Sequence, residues 1–267
     1  MLSLSPKFRS KRSVVTAVLS GGVLIALVTG CSPSTTVPIG ATTTAVSTST
    51  TTSQTKATWA PVMKSVQLGE AAKAYMEKVS VNITEGSIQS GFSVYGRINP
   101  PNKMDVAFHQ NGANMAFYQQ GLSAYGEMDG QWQQHAALSN INLYPEYAKL
   151  LQAVSKANIP IYQLQPNQYV VDEFCNVYQA TIPASLLSTL PGFSSTYHAA
   201  NMSPIVYTFF VGQTSGELRQ VNTSSEGSVT DVGSVQIQSN TILFNINKPG
   251  ADITIDPTLY SSLLYQY

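Results

Sequence analysis

Two cysteines, three histidines and a few neighbouring acids are the residues of this 267-residue chain whose types could do chemistry. Cys31 closes an apolar run and follows two small residues, Thr29 and Gly30, so a thiol able to form a thioether stands where a peptidase could cut beside it. Cys175 has no partner left if Cys31 is alkylated, and a lone cysteine in a strand is expected to be a small buried hydrophobe rather than a nucleophile. His109, His135 and His198 are scattered. The first two lie in strand-like segments that could approach each other, but two imidazoles without a further ligand pair are a poor basis for metal binding, and no metal site is expected. Asp172 and Glu173, adjacent on one strand, would point to opposite faces and not form the facing carboxylates of a glycosidase. Glu127 and Asp129 straddle a turn, where solvated acids are usual. The chain has no Gly-x-Ser-x-Gly elbow, phosphate-binding glycine loop, His-Glu-x-x-His or Cys-x-x-Cys, so neither catalysis nor a cofactor is expected.

The segment before Cys31 has the order of a secretory signal: a basic stretch ending at Lys11-Arg12, then apolar residues from Val14 to Val28. That run includes Gly21-Gly22 and falls short of the roughly twenty residues a spanning helix needs, although an uncleaved anchor helix is the alternative. Val28-Thr29-Gly30-Cys31 resembles the lipobox of bacterial lipoproteins, with Val28 where that family more often has Leu. The resemblance implies a signal peptide over 1–30, an acylated Cys31 as the lipid attachment site, and a domain held on the cell membrane facing outside the cytoplasm. Two or three acyl chains, at about 0.8 kcal/mol per buried CH₂, suffice for stable anchoring.

Cleavage changes the charge balance. The 14 basic and 14 acidic residues cancel, but Lys7, Arg9, Lys11 and Arg12 all precede Cys31, so ten basic remain against fourteen acidic, a formal −4. No basic patch for nucleic acid is expected. Only 10% of residues are charged, against about 25% in ordinary domains, and uncharged polar residues take their place. Such a surface suits an acidic exterior, where protonated carboxylates would otherwise leave a self-repelling cation.

From Ser32 to Lys56, fifteen of twenty-five residues are Ser or Thr, with Pro33 and Pro38 and almost nothing large and apolar. Such a stretch cannot bury a core. Residues 31–58 are therefore expected to be the lipidated cysteine and a disordered tether, plain or glycosylated, reaching roughly 25–30 Å. Composition turns globular over 59–267, long enough for one domain. Leu68, Ala72, Tyr75, Met76 and Val79 recur at helical spacing and predict a first helix, with Gly69 costing it some stability. Met104, Val106 and Phe108 alternate with Asp105, Ala107 and His109, and Asn111-Gly112, Gln120-Gly121 and Asp129-Gly130 supply turns at regular intervals. An antiparallel meander is expected there, with Asp105, His109 and His135 sharing the face away from the core. Pro145, Tyr147, Leu150, Leu151 and Val154 predict a second helix, stopped by Asn158 and Pro160. Strands are expected at Tyr169–Phe174 and Val177–Ile182, and a short helical piece at Ala184–Leu190. Ser194–Ser203 has no clear pattern, and Ile205–Val211 reads as a strand covered on both faces. Leu218–Asn222, Val235 with Ile237, Thr241–Ile246 and Ile253–Ile255 read as further strands, before an apolar tail, Tyr260 to Tyr267, expected to dock on the domain.

A helix before many short antiparallel strands, Tyr125 and Trp132 about the Asp129-Gly130 turn, a mid-chain helix after a tyrosine, and a late Thr214-Ser215-Gly216-Glu217-Leu218 hairpin resemble bacterial lipoproteins of the LolA/LolB/LppX type. Gly212 stands where that family often has Asp. The resemblance implies an α+β fold: a curved antiparallel sheet, or incomplete barrel, wrapped around a few helices and enclosing an apolar cavity. It implies a non-catalytic protein that holds a hydrophobic or lipid-like ligand, with Met104, Phe108, Met115, Phe117, Phe209 and Phe244 as candidate cavity residues. The alternative is a surface module that contacts protein or cell-wall partners. An apolar void lined by those six residues favours the carrier, and the same residues packed solid favour the module.

Overall fold

The computed structural model describes residues 53–110, 113–128, 131–138, 141–187, 203–229 and 233–253. The signal segment, Cys31, the tether up to residue 52, the Asn111-Gly112 and Asp129-Gly130 turns, Asp129, His198, most of the patternless stretch, and the tail from residue 254 lie outside these.

Twelve strands form one antiparallel sheet: β1 Ser53–Ala57, β2 Tyr75–Glu85, β3 Ile88–Asn99, β4 Lys103–Gln110, β5 Ala113–Gln120, β6 Ser123–Met128, β7 Gln131–His135, β8 Ile161–Val170, β9 Glu173–Ile182, β10 Ile205–Gly212, β11 Leu218–Val229 and β12 Gly233–Phe244. Three helices accompany them, α1 Ala60–Glu70, α2 Tyr144–Lys156 and α3 Ala184–Leu187. The strand order is β1-β8-β9-β10-β11-β12-β2-β3-β4-β5-β6-β7, an open sheet whose edges are β1 and β7. Its two halves join along β12 and β2, in register from Val235↔Glu85 to Phe244↔Met76.

Strict alternation builds this ladder. On β2, Tyr75, Glu77, Val79, Val81 and Ile83 are buried, while Lys78 and Asn82 between them are exposed. The buried set faces the helices. On α1, Val62, Ser65, Val66 and Gly69 repeat at helical spacing toward the sheet, and on α2 Tyr144, Tyr147, Leu150, Leu151 and Val154 do the same. Pro61 and Pro145 sit in the first turns, where a missing amide costs nothing. Gly69 serves packing: a Cβ there would overlap the Tyr144 ring, which crosses Tyr75 edge to face with centroids 5.3 Å apart.

Several expectations are corrected. The first helix ends at Glu70, and Tyr75, Met76 and Val79 belong to β2. Their helical spacing is accidental, arising across a chain reversal at which the Asn247 carboxamide oxygen accepts from the Lys73 amide at 2.8 Å. Tyr169–Phe174 is not one strand, because β8 turns into β9 at Val171-Asp172, with Val171 at a φ of 61°. Ser53–Ala57, assigned to the tether, is an edge strand paired with β8. Its side chains are mostly exposed, so its place depends on backbone hydrogen bonds that composition does not register. β3 is absent from the sequence reading; Gly91 and Gly96 dilute its apolar alternation. The two late segments Val235/Ile237 and Thr241 onward are one strand, β12, and Ile253 is buried but lies outside any strand. α2 and the β4–β7 meander fall where the sequence places them.

Candidate functional site

The six candidate cavity residues separate into three environments. Met104, Phe117 and Phe209 face the helices with 1%, 2% and 0% of their surface accessible and belong to the packed core. Phe209 is held between Trp59, edge-on at 6.0 Å, and Tyr207, stacked at 5.8 Å. Phe108 and Met115 lie on the same face but are only partly buried. They pair directly across β4 and β5, and Phe108 pairs with Val94 of β3, two residues from partly buried Phe92. Phe92, Phe108 and Met115 therefore make an accessible apolar corner on the helix-side face, next to fully buried Val94, Val106 and Phe117. Phe244 is on the opposite face, stacked on half-exposed Tyr95 at 6.1 Å, because its neighbour Leu243 is the one turned inward. A common cavity for all six is thereby excluded.

The ionisable groups also sort by face. His109 is on the open face, 2.6 Å from the Asn114 carboxamide, whereas His135 is on the helix side against Phe117, in space left by Gly126. The shared face expected for them does not exist. Among the described residues no group of three His, Cys, Asp or Glu could hold a metal. Cys175 is fully buried in a small cluster with Val170, Val177 and Phe210, and burial together with the Glu173 carboxylate pushes its thiol up to about 11, which leaves it inert.

Asp172 and Glu173 do converge, on Arg219. A bulge in β11 makes Arg219 an extra residue between Leu218, opposite Val211, and Gln220, opposite Phe210. Its guanidinium lies 2.6 Å from Glu173, 3.3 Å from Asp172 and 3.2 Å from Glu217, and Lys248 adds a 3.0 Å pair with Asp172. Burial raises the Glu173 pKa, but the Ser215 hydroxyl and amide and the Arg219 guanidinium outweigh it and hold the carboxyl at about 2. A Cβ on Gly212 would overlap that carboxylate, so glycine here admits an acid supplied by another strand. These ion pairs tie the β8–β9 and β10–β11 hairpins together and commit the converging charges to one another.

Glu77 is the opposite case, and the sequence reading missed it. It faces the helices near the start of β2, 4% exposed, and its Oε2 has no hydrogen-bond partner among the described residues. Burial pushes its carboxyl up to about 8, so it is largely the neutral acid at pH 7. Tyr75, Tyr144 and Tyr147 surround it, their hydroxyls also raised by burial and by its charge. The sequence signal was a single acid at an inward position of an otherwise apolar alternation.

The open face of β9, β10, β11, β12 and β2 carries a groove of about 360 Å³, lined by uncharged polar side chains and Val206.

No protein-family model matches the chain, and no curated protein matches it in sequence. Among solved structures, LprF from Mycobacterium bovis is similar over 74% of this chain and 94% of its own, at 13% identity and a TM-score of 0.43. A LolA superfamily protein from Nitrosomonas europaea (75% and 96%, 10% identity, TM-score 0.26) and an outer membrane lipoprotein-sorting protein domain from Vibrio parahaemolyticus (77% and 97%, 8% identity, TM-score 0.26) are also similar.

Proposed function

We propose that this chain is a membrane-tethered, extracytoplasmic binding protein that takes a hydrophobic, lipid-like ligand at the corner formed by Phe92, Phe108 and Met115. The observation that carries the reading is the contrast on one face: these three apolar side chains keep accessible surface, while same-face neighbours Val94 and Phe117 keep 2% each. Open apolar surface beside a filled core is what an acyl chain can cover without displacing core packing. Among the described residues no helix is long and apolar enough to cross a membrane, and the reading assigns anchoring to acyl chains on Cys31. The role is binding rather than catalysis, because the ionic groups that converge are committed to one another.

Native mass spectrometry of the detergent-purified full chain tests this, with dansyl-undecanoic acid as fluorescent probe. An acyl-chain adduct and probe binding are expected, and Phe108→Asp should abolish both while Leu122→Asp, in an exposed turn, should not. Absence of adduct and probe binding in the parent chain would falsify the reading. The alternative of a surface interaction module draws on the β8–β9 tip, where Tyr169 and Phe174 meet edge to face at 5.3 Å and stay 61% and 58% exposed. Phe174→Ser should leave probe binding intact, and loss of a bound partner in that variant would favour the module.

A further inference from the structure

The open-face groove has the chemistry of a saccharide site, and we propose that it binds a neutral oligosaccharide. It lies across the sheet from the apolar corner and does not depend on the lipid reading.

Register builds the groove. Ser80 pairs with Asn240 and Asn240 with Asn222, while one pleat along Asn82 pairs with Gln238. These are rows of short amides and hydroxyls facing away from the core, strands about 4.8 Å apart and rows about 7 Å apart. No charged residue lines the groove. A site for phosphate, carboxylate or an ammonium group would carry a compensating charge, so the complementary ligand is uncharged. Among the described residues, the side chains of Ser80, Asn82, Gln238 and Asn240 make no hydrogen bond to protein. They are open donors and acceptors of both kinds, which is what a ring of sugar hydroxyls requires.

The second half of sugar chemistry is an apolar plate for the C–H face of a pyranose. Tyr95 pairs with Lys78, the next outward residue after Ser80, and so stands about 7 Å along the same face. It is 50% exposed and is backed by Phe244, which fixes its plane. The volume falls at the small end of ordinary ligand sites, about 300 to 1,000 Å³, and the groove crosses five strands. A short chain of sugars, not a lone ring, uses that length. Lys78 beside the platform is the one cation of this row, and it lies outside the groove.

The test uses the full chain in a sugar-free detergent, with an α-1,4-linked glucose heptamer and a β-1,4-linked N-acetylglucosamine tetramer as probes. Saturation-transfer NMR should show transfer to at least one at about 10 mM, and calorimetry should give a millimolar or tighter Kd. Asn240→Ala and Tyr95→Ala should each weaken binding about fivefold or more, Leu122→Ser should not, and the Kd should stay constant when salt rises from about 0.05 to 0.5 M. Failure of both probes to bind, binding that survives Asn240→Ala together with Tyr95→Ala, or a steep loss of affinity with salt each overturns the assignment.

Discussion

On β2 and β12 the helix-side face presents Tyr75, Val79, Val81, Ile83, Ile237 and Leu243, and one residue away the open face presents Ser80, Asn82, Gln238 and Asn240. Half-buried sheets oppose apolar residues with polar ones; here, apart from Lys78, those across β2 and β12 are uncharged amides and hydroxyls. Register is still secured, because a one-residue slip would bury the amides and expose the aliphatics. The difference lies in what each face can do next. A face of uncommitted amides can bind, and a filled apolar face can only hold the fold together, except at its Phe92–Phe108–Met115 corner. Glu77 breaks the division: an acid on the apolar face, accommodated by staying protonated.

The sharpest way to break the comparison is a pair of neighbours on β10. Phe209→Ala, with 0% exposure, is expected to cost about 4 kcal/mol, and Thr208→Ala, facing the groove, about 0.5 or less. Urea denaturation of both variants measures this, and equal costs would mean the faces are not energetically distinct.

Of comparable size is the pH dependence of Glu77. Its folded pKa lies above the ordinary carboxylate value, so the folded state holds the proton more tightly and stability is full below about pH 4.5. As pH rises from there to about 8, stability should fall by about 1.4 kcal/mol per unit, and Glu77→Gln should flatten this limb in thermal melts recorded across pH. Glu173 has the opposite sign: its contribution is present above about pH 4.5 and is lost as pH falls through about 2. Together they place the stability maximum on the acid side of neutrality, in line with the weakly charged composition. An unchanged melting temperature from pH 5 to 8 in the parent chain would contradict a buried, unpartnered Glu77.

The smallest effect expected is at the β8–β9 tip. Val171 is a β-branched residue in the left-handed region, so Val171→Gly should stabilise by about 1 kcal/mol, read from the denaturation midpoint. It should leave both proposed sites untouched, since it belongs to neither face.

Much of this architecture is written locally. The Gly121 turn between β5 and β6, the proline start and apolar stripe of α2, and the antiparallel class follow from contiguous residues whose backbone preferences need no distant partner. Expectations failed where a local pattern crossed a boundary, as with Tyr75 and Val79, or where backbone pairing alone defined the element, as with Ser53–Ala57. The site was less legible. Met, Phe and Tyr mark apolar surface in any chain, but whether Met104 or Met115 keeps accessible surface depends on which helix lies over it, and α1 and α2 come from distant parts of the sequence.

The sequence by itself therefore determined the weak charge and the β-rich class, because these reside in composition and in local alternation. The tertiary structure alone decided that His109 and His135 part company, that Asp172 and Glu173 meet on Arg219, that Glu77 is sealed among tyrosines, and that the open face gathers its amides into a groove. Each is a matter of register between strands far apart in the chain, and a shift of one residue in any of those ladders would have reversed it.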